Sequence, residues 1–284
     1  KATSSQMTDF ENDTTAELIA PGRFGIRLSD RWWIGRGPNG GYVAALMLQA
    51  MGDAVGAEDD LADSLPPRSL SVHFLSPPAV GDAEIEVTFE HKGHNTSFVS
   101  SRLVQEGVVK AKAMAVFSAK REGPSFDHTS MPSVPSPDGG MELDTSLAPV
   151  AVFSQYRAVP VIGGHAYSGG KRAETGGWLK LKDEQPMTAA LAAAMLDVWY
   201  PAPFITLTEP VRAPTLEYTV HFPRELPAPG NDASDWYLVR LSADMAEDGH
   251  FSEDGELWSQ DGKLLARCRQ MALLRNMKAE EETG

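Results

Sequence analysis

Residues 37 to 51 read GPNGGYVAALMLQAM, a glycine turn running into an apolar segment. A turn of this kind before a helix offers free N–H groups and the positive end of the helix dipole to a negative oxygen. It is not a nucleotide cradle. Gly41 is followed by Tyr42 and Val43, where a phosphate loop needs a lysine and a hydroxyl; the three spaced glycines of a dinucleotide fingerprint are missing, and RLSDRWWIGR before it carries too many charges for a buried strand. A second candidate is Asp197, in MLDVWYPA. An ionised carboxylate on an apolar helix needs partners or a raised pKa, unless it lies past the helix end with donors from the following turn. A third is Gln270 in RCRQMALLR, the only amide on a strand face shared with Leu264, Ala266, Cys268, Ala272 and Leu274, while Arg267, Arg269 and Arg275 take the other face. A buried amide requires a polar neighbour, whether a site or simply backbone. Cys268 shares that apolar face and has no histidine in its own strand, which marks it as core.

The elements that must position these groups follow from patterning. From Tyr42 to Met51 the one polar side chain is Gln49, so a helix there has no solvent face and must be enclosed. Sliding the chain on itself repeats the pattern. YVAALMLQAMGDAV at 42 to 55 aligns without a gap to MTAALAAAMLDVWY at 187 to 200, LSVHF at 70 to 74 matches YTVHF at 218 to 222, and the turn QEG at 105 to 107 matches QDG at 260 to 262. The offsets of 145, 148 and 155 grow slowly, as turns lengthen. Helices are expected near 41 to 52 and 187 to 198, packed side by side or antiparallel inside one continuous sheet. Each is followed by segments that alternate like strands, including SLSVHFL, AEIEVTFEHK, TSFVSSRLVQ and VVKAKAMAVFSAK in the first half. An antiparallel sheet curled around one apolar helix is the hotdog fold, so the expected class is α+β, a double hotdog. Residues 1–120 form the first repeat, the Pro-, Ser- and Gly-rich 121–150 the linker, and 151–284 the second repeat.

Composition narrows the function classes. With 25 basic against 39 acidic residues the net charge is −14, which argues against nucleic-acid and anionic-membrane partners. No apolar run reaches the ~18 residues that span a bilayer, and KATSSQMTDFENDTT lacks the regions of a signal peptide, so no membrane insertion and a cytoplasmic location are expected. A single cysteine leaves no internal disulfide and makes a thiolate metal site improbable.

The chain resembles the acyl-CoA thioesterase II-like family of double hotdog proteins over nearly its whole length. The resemblance rests on PNGGY opening the first helix, MLDVWYPA near the end of the second, TLEYTVHF in a following strand and RCRQMALLR in the last. It implies hydrolysis of acyl-CoA to a free acid and CoA without a cofactor or metal, by a water that Asp197 activates and Thr215 and Gln270 orient; a homodimer or higher homo-oligomer is compatible with it. The duplication places Gly52, Pro67 and Ala115 opposite these three residues and Gln185 and Pro186 opposite Gly40 and Gly41. One composite site is therefore expected, with the base in the second half and the oxyanion donors Gly40 and Gly41 in the first, lined by Asn39 and Tyr42. Two alternatives stand beside it: a non-catalytic acyl- or acyl-CoA-binding hotdog protein, and a hotdog dehydratase or hydratase. HFPRELPAPG superficially resembles a dehydratase signature, but it follows the second helix where that signature precedes it, and His73 repeats His221 in the first half. Both histidines read as ordinary strand residues.

Overall fold

The computed structural model describes residues 7–62, 64–148 and 150–277. Its α-helices among these residues are α1 (Asp9–Thr14), α2 (Gly40–Gly56) and α3 (Ala189–Met195). Asn39 starts α2: its side chain accepts the Tyr42 N–H at 3.1 Å, satisfying one of the orphan donors of the first turn. Every residue from Gly41 to Met51 is then buried except the half-buried Gln49, and only the last turn meets solvent, at Asp53 and Gly56. Thr188 caps α3 in the same way, on Leu191 N–H at 3.1 Å. This helix is shorter than its apolar run. The Asp197 and Val198 N–H groups bond three residues back, to Ala194 and Met195, so the chain tightens into a turn before Pro201 opens a short 3-10 segment, Ala202–Ile205.

The strands of the main sheet are β1 (Glu17–Ala20), β2 (Arg23–Leu28), β3 (Pro67–Phe74), β4 (Gly81–Gly93), β5 (Thr96–Gln105), β6 (Val108–Ser118), β7 (Tyr156–Ile162), β8 (Ala173–Leu181), β9 (Thr215–His221), β10 (Tyr237–Ala243), β11 (Ala246–Glu247), β12 (His250–Ser259) and β13 (Leu264–Leu273). They form one antiparallel sheet in the order β1-β2-β4-β5-β6-β3-β9-β13-β12-β10-β8-β7, with the short β11 beside β12. The second six strands mirror the first six about the seam between β3 and β9, where Ser71 faces Thr219 and their hydroxyls lie 2.9 Å apart.

Register carries the duplication down to single residues. Val72 faces Ala113 and Leu70 faces Ala115 in the first half; Val220 faces Cys268 and Tyr218 faces Gln270 in the second. These are the pairs that offsets of 148 and 155 require. The ladder also slips at the same place in both copies, after Pro67 and after Thr215.

One hydrophobic cluster joins α2 and α3 to the inward residues of both halves. Leu46, Met47, Met51, Leu70 and Ile85 are among its fully buried members, each worth roughly 1.5–3 kcal/mol relative to exposure. The two helices touch at Gly41. A β-carbon there would stand 2.7 Å from the Ala194 carbonyl oxygen and 2.8 Å from Asp197 Cβ, so this crossing admits only glycine. Among the described residues no helix is long and apolar enough to cross a membrane.

Candidate active site

The close crossing at Gly41 brings the start of α2 against the turn that follows α3. Asp197 occupies that turn, two residues beyond the helix, and its carboxylate Oδ2 accepts the Gly41 N–H at 2.8 Å and the Asn39 side-chain amide at 3.0 Å. Asn39 also donates to the Asp197 carbonyl at 2.7 Å. The same Asn39 side chain thus caps the helix of one half with its oxygen and holds the acid of the other half with its nitrogen. In this arrangement the Gly41 N–H is engaged by the carboxylate, so the positive end of α2 is directed at Asp197 itself.

Strand pairing supplies the next groups. Gln270 on β13 lies between Tyr218 on β9 and Glu253 on β12, all buried on the inner face. Its Nε2 donates to Glu253 Oε1 at 2.8 Å, and its Oε1 accepts the Thr215 hydroxyl at 2.9 Å. Thr215 pairs with Ala272, two residues along on the same face, and the ladder irregularity after it lets its side chain reach the amide. The Tyr218 hydroxyl ties β9 to α3 through the Ala193 carbonyl at 2.7 Å.

Electrostatics follow from this burial. Desolvation pushes the Asp197 carboxyl from its ordinary 3.8 up to about 6, opposed by donors from the Gly41 N–H, Gln270, Asn39 and the Gly40 N–H. Glu253 goes further, to about 7, because desolvation outweighs the Ala202 N–H and the Gln270 amide that favour its charge, and the negative charges of Asp197 and Asp254 push the same way. The Asp197 carboxyl therefore exchanges its proton at about 6 and sits among fixed donors. Asp197, Thr215, Gly40 and Phe74 keep part of their surface open to solvent, whereas Asn39, Glu253 and Gln270 are buried, so the site is reached from the side of the first four.

Of the residues singled out from sequence, Asn39, Gly40, Gly41 and Asp197 meet at the helix crossing, and Thr215 and Gln270 adjoin them across the sheet. Tyr42 does not join them. It points the other way, stacked on Trp32 with centroids 5.6 Å apart and its hydroxyl on the Asp13 carbonyl at 2.8 Å. His73 and His221 are exposed on the seam strands, opposite Glu217 and Ser69. Cys268 is buried, and desolvation holds its thiol well above the usual range, so it stays protonated. Among the described residues no group of three or more His, Cys, Asp or Glu side chains is placed to hold a metal ion.

Glu253 is the residue that sequence reasoning missed. Its signal was present in the duplication: Val99 faces Ala115 in the first half as Glu253 faces Gln270 in the second, so an acid and an amide replace two apolar residues as a pair.

The family model for the acyl-CoA thioesterase N-terminal domain matches residues 28–118, and that for the acyl-CoA thioesterase C-terminal domain matches residues 128–274. Acyl-CoA thioesterase 2 of Haemophilus influenzae is 24% identical over 264 residues, 83% of this chain and 87% of the relative. Among solved structures, a conserved protein of unknown function with a hot dog fold from Alicyclobacillus acidocaldarius superposes with a TM-score of 0.86 at 26% identity, covering 95% of this chain and 99% of the other. An acyl-CoA thioesterase II from Mycobacterium marinum gives a TM-score of 0.73 at 20% identity, over 95% and 99%.

Proposed function

The chain belongs to the acyl-CoA thioesterase family and is a thioester hydrolase, and from that premise we propose that it cleaves acyl-CoA by a single water held between Asp197, Thr215 and Gln270. The observation that carries this reading is the Asp197 carboxylate of the second half, clasped by Gly41 and Asn39 of the first, with the Thr215–Gln270 pair beside it. A carboxylate poised near neutrality takes a proton from water without becoming a strong acid. The hydroxyl and amide restrict where that water points.

The step balances simply. The water oxygen bonds to the thioester carbonyl carbon as Asp197 takes its proton; the tetrahedral intermediate then expels sulfur, and the proton held by Asp197 passes to the leaving thiolate. Charge gathers meanwhile on the carbonyl oxygen. In the structure the Gly41 N–H serves Asp197, but neutralising the carboxylate weakens that bond at the moment the oxyanion forms. The Gly40 and Gly41 N–H groups then become available to the oxyanion, so one glycine turn supports the base first and the oxyanion second. A dehydratase reading would need a histidine base, and the seam histidines are exposed on strands rather than gathered with Asp197.

Hydrolysis of a series of acyl-CoAs of increasing chain length, followed by thiol release, tests the reading. Asp197→Asn is expected to lower kcat by at least ~10², the loss typical of a general base, with KM little changed. Undiminished turnover in the folded variant would remove Asp197 from the mechanism.

A further inference from the structure

We propose that Glu253 is a positioning residue for hydrolysis: in its ionised form it sets which way the Gln270 amide faces, and thereby aims Thr215 and Gln270 at the water beside Asp197. This rests on the reading of Asp197 as the base.

The argument begins with the donors and acceptors of one amide. Gln270 has an oxygen that only accepts and a nitrogen that only donates. Thr215 gives its hydroxyl proton to the oxygen, and Glu253 Oε1 takes one nitrogen proton at 2.8 Å, which leaves the other for the side of Asp197. The second carboxylate oxygen of Glu253 accepts the Ala202 N–H, so both oxygens are committed as acceptors. A proton on Oε1 turns that acceptor into a hydroxyl that faces the Gln270 N–H. The amide then gains by turning over, which points its oxygen at that hydroxyl and takes its nitrogen away from Asp197 toward Thr215. Ionised Glu253 is thus what makes one orientation of Gln270 preferred.

The fold has no need of this acid. The first half builds the same strand pair from Val99 and Ala115, and Glu253, with 1% of its surface exposed, has no cation against it among the described residues. A buried carboxylate with amide and N–H partners alone costs stability, which points to a use elsewhere. The groups around it are few. Gln270 and Cys268 face it from β13, Tyr218 from β9, and Asp197 and the Ala202 N–H from the segment after α3. On its own strand Asp254 points outward to Arg269 at 2.7 Å. The groups here that exchange protons near neutrality are Asp197 and Glu253, so the site behaves as a pair of linked carboxyls.

If activity requires both in the ionised form, kcat/KM of the unaltered protein falls on the acid side with a slope approaching two protons. In Glu253→Gln, a fixed copy of the protonated acid, the limb keeps one proton, and kcat is lower by about tenfold or more, as expected for a lost orienting hydrogen bond, with KM within about twofold. Glu253→Asp, which retains the charge, restores the two-proton limb. A one-proton limb in the unaltered protein overturns the proposal whether or not a variant folds. So does a folded Glu253→Gln that keeps the two-proton limb or its full kcat. Asp197→Asn, measured alongside, separates the two readings: full activity there defeats the base assignment, whereas its loss together with an unaffected Glu253→Gln defeats only the role of Glu253.

Discussion

The Asp197 carboxyl rises from 3.8 to about 6 because burial outweighs its donors, so the folded protein binds that proton more tightly than the unfolded chain does. The contribution to stability is therefore greatest below the unfolded pKa and is lost as pH rises from 3.8 through 6, an effect on the order of 2–3 kcal/mol. Replacement by Asn removes the titration. Denaturation of Asp197→Asn against the unaltered protein should favour the variant by more at pH 8 than at pH 4, and a difference that stays constant with pH would contradict the raised value. Thr215→Ala and Gln270→Ala should each slow turnover less than Asp197→Asn, and the double variant should lose less than the two single losses combined, since in the proposed mechanism both orient one water. Cys268→Ala should leave turnover nearly intact, because a buried thiol held protonated is no nucleophile; loss of turnover in the folded variant would reverse that. Asp197 and Gln270 were legible in the sequence as polar groups out of place on apolar faces. Thr215 looked like any β-branched strand residue and stood out only through the family resemblance. Glu253 was hidden by its neighbours, because SEDGE reads as a solvated acidic stretch until its strand partner is known.

At the scale of elements, two adjacent glycines do different work. A β-carbon at Gly41 meets backbone on α3 that cannot yield, so Gly41→Ala should push the helices apart and lower stability by about 1–3 kcal/mol or more, measured by denaturant unfolding. At Gly40 the β-carbon meets Asp197 Oδ2 at 3.0 Å and the Phe74 ring at 3.1 Å, both side chains able to shift. Gly40→Ala should accordingly keep most of its stability and lose activity, and the reverse pattern would count against this placement of the site. The doubled architecture was legible because the two apolar helices and the strand offsets are long-range signals that no single turn can disturb. Helix ends were not. The apolar run continues through Val198 and Trp199, and periodicity cannot distinguish a buried helix from the buried turn that carries Asp197.

For the whole molecule, the seam between β3 and β9 and the crossing at Gly41 bind the halves by main-chain pairing on one side and helix packing on the other. Unfolding should therefore be a single event, with tryptophan fluorescence and activity lost at the same denaturant concentration; two separated transitions would show halves that stand alone. The mirrored strand order has a further outcome. Where two identical units pair about a twofold axis, every substitution enters twice, and a change that improves one pocket is imposed on the other. Here the units share one chain, so an acid at 197 leaves Gly52 as it is, and an amide at 270 leaves Ala115. The pocket that was not chosen is free to drift: at the start of α3, in the place that Gly40 and Gly41 hold on α2, stand Gln185 and Pro186, and Gln185 is buried beneath the hydroxyl of Thr8 at the entrance to α1. The place that forms the glycine turn in the first half thus serves in the second half as an anchor for the segment that opens α1.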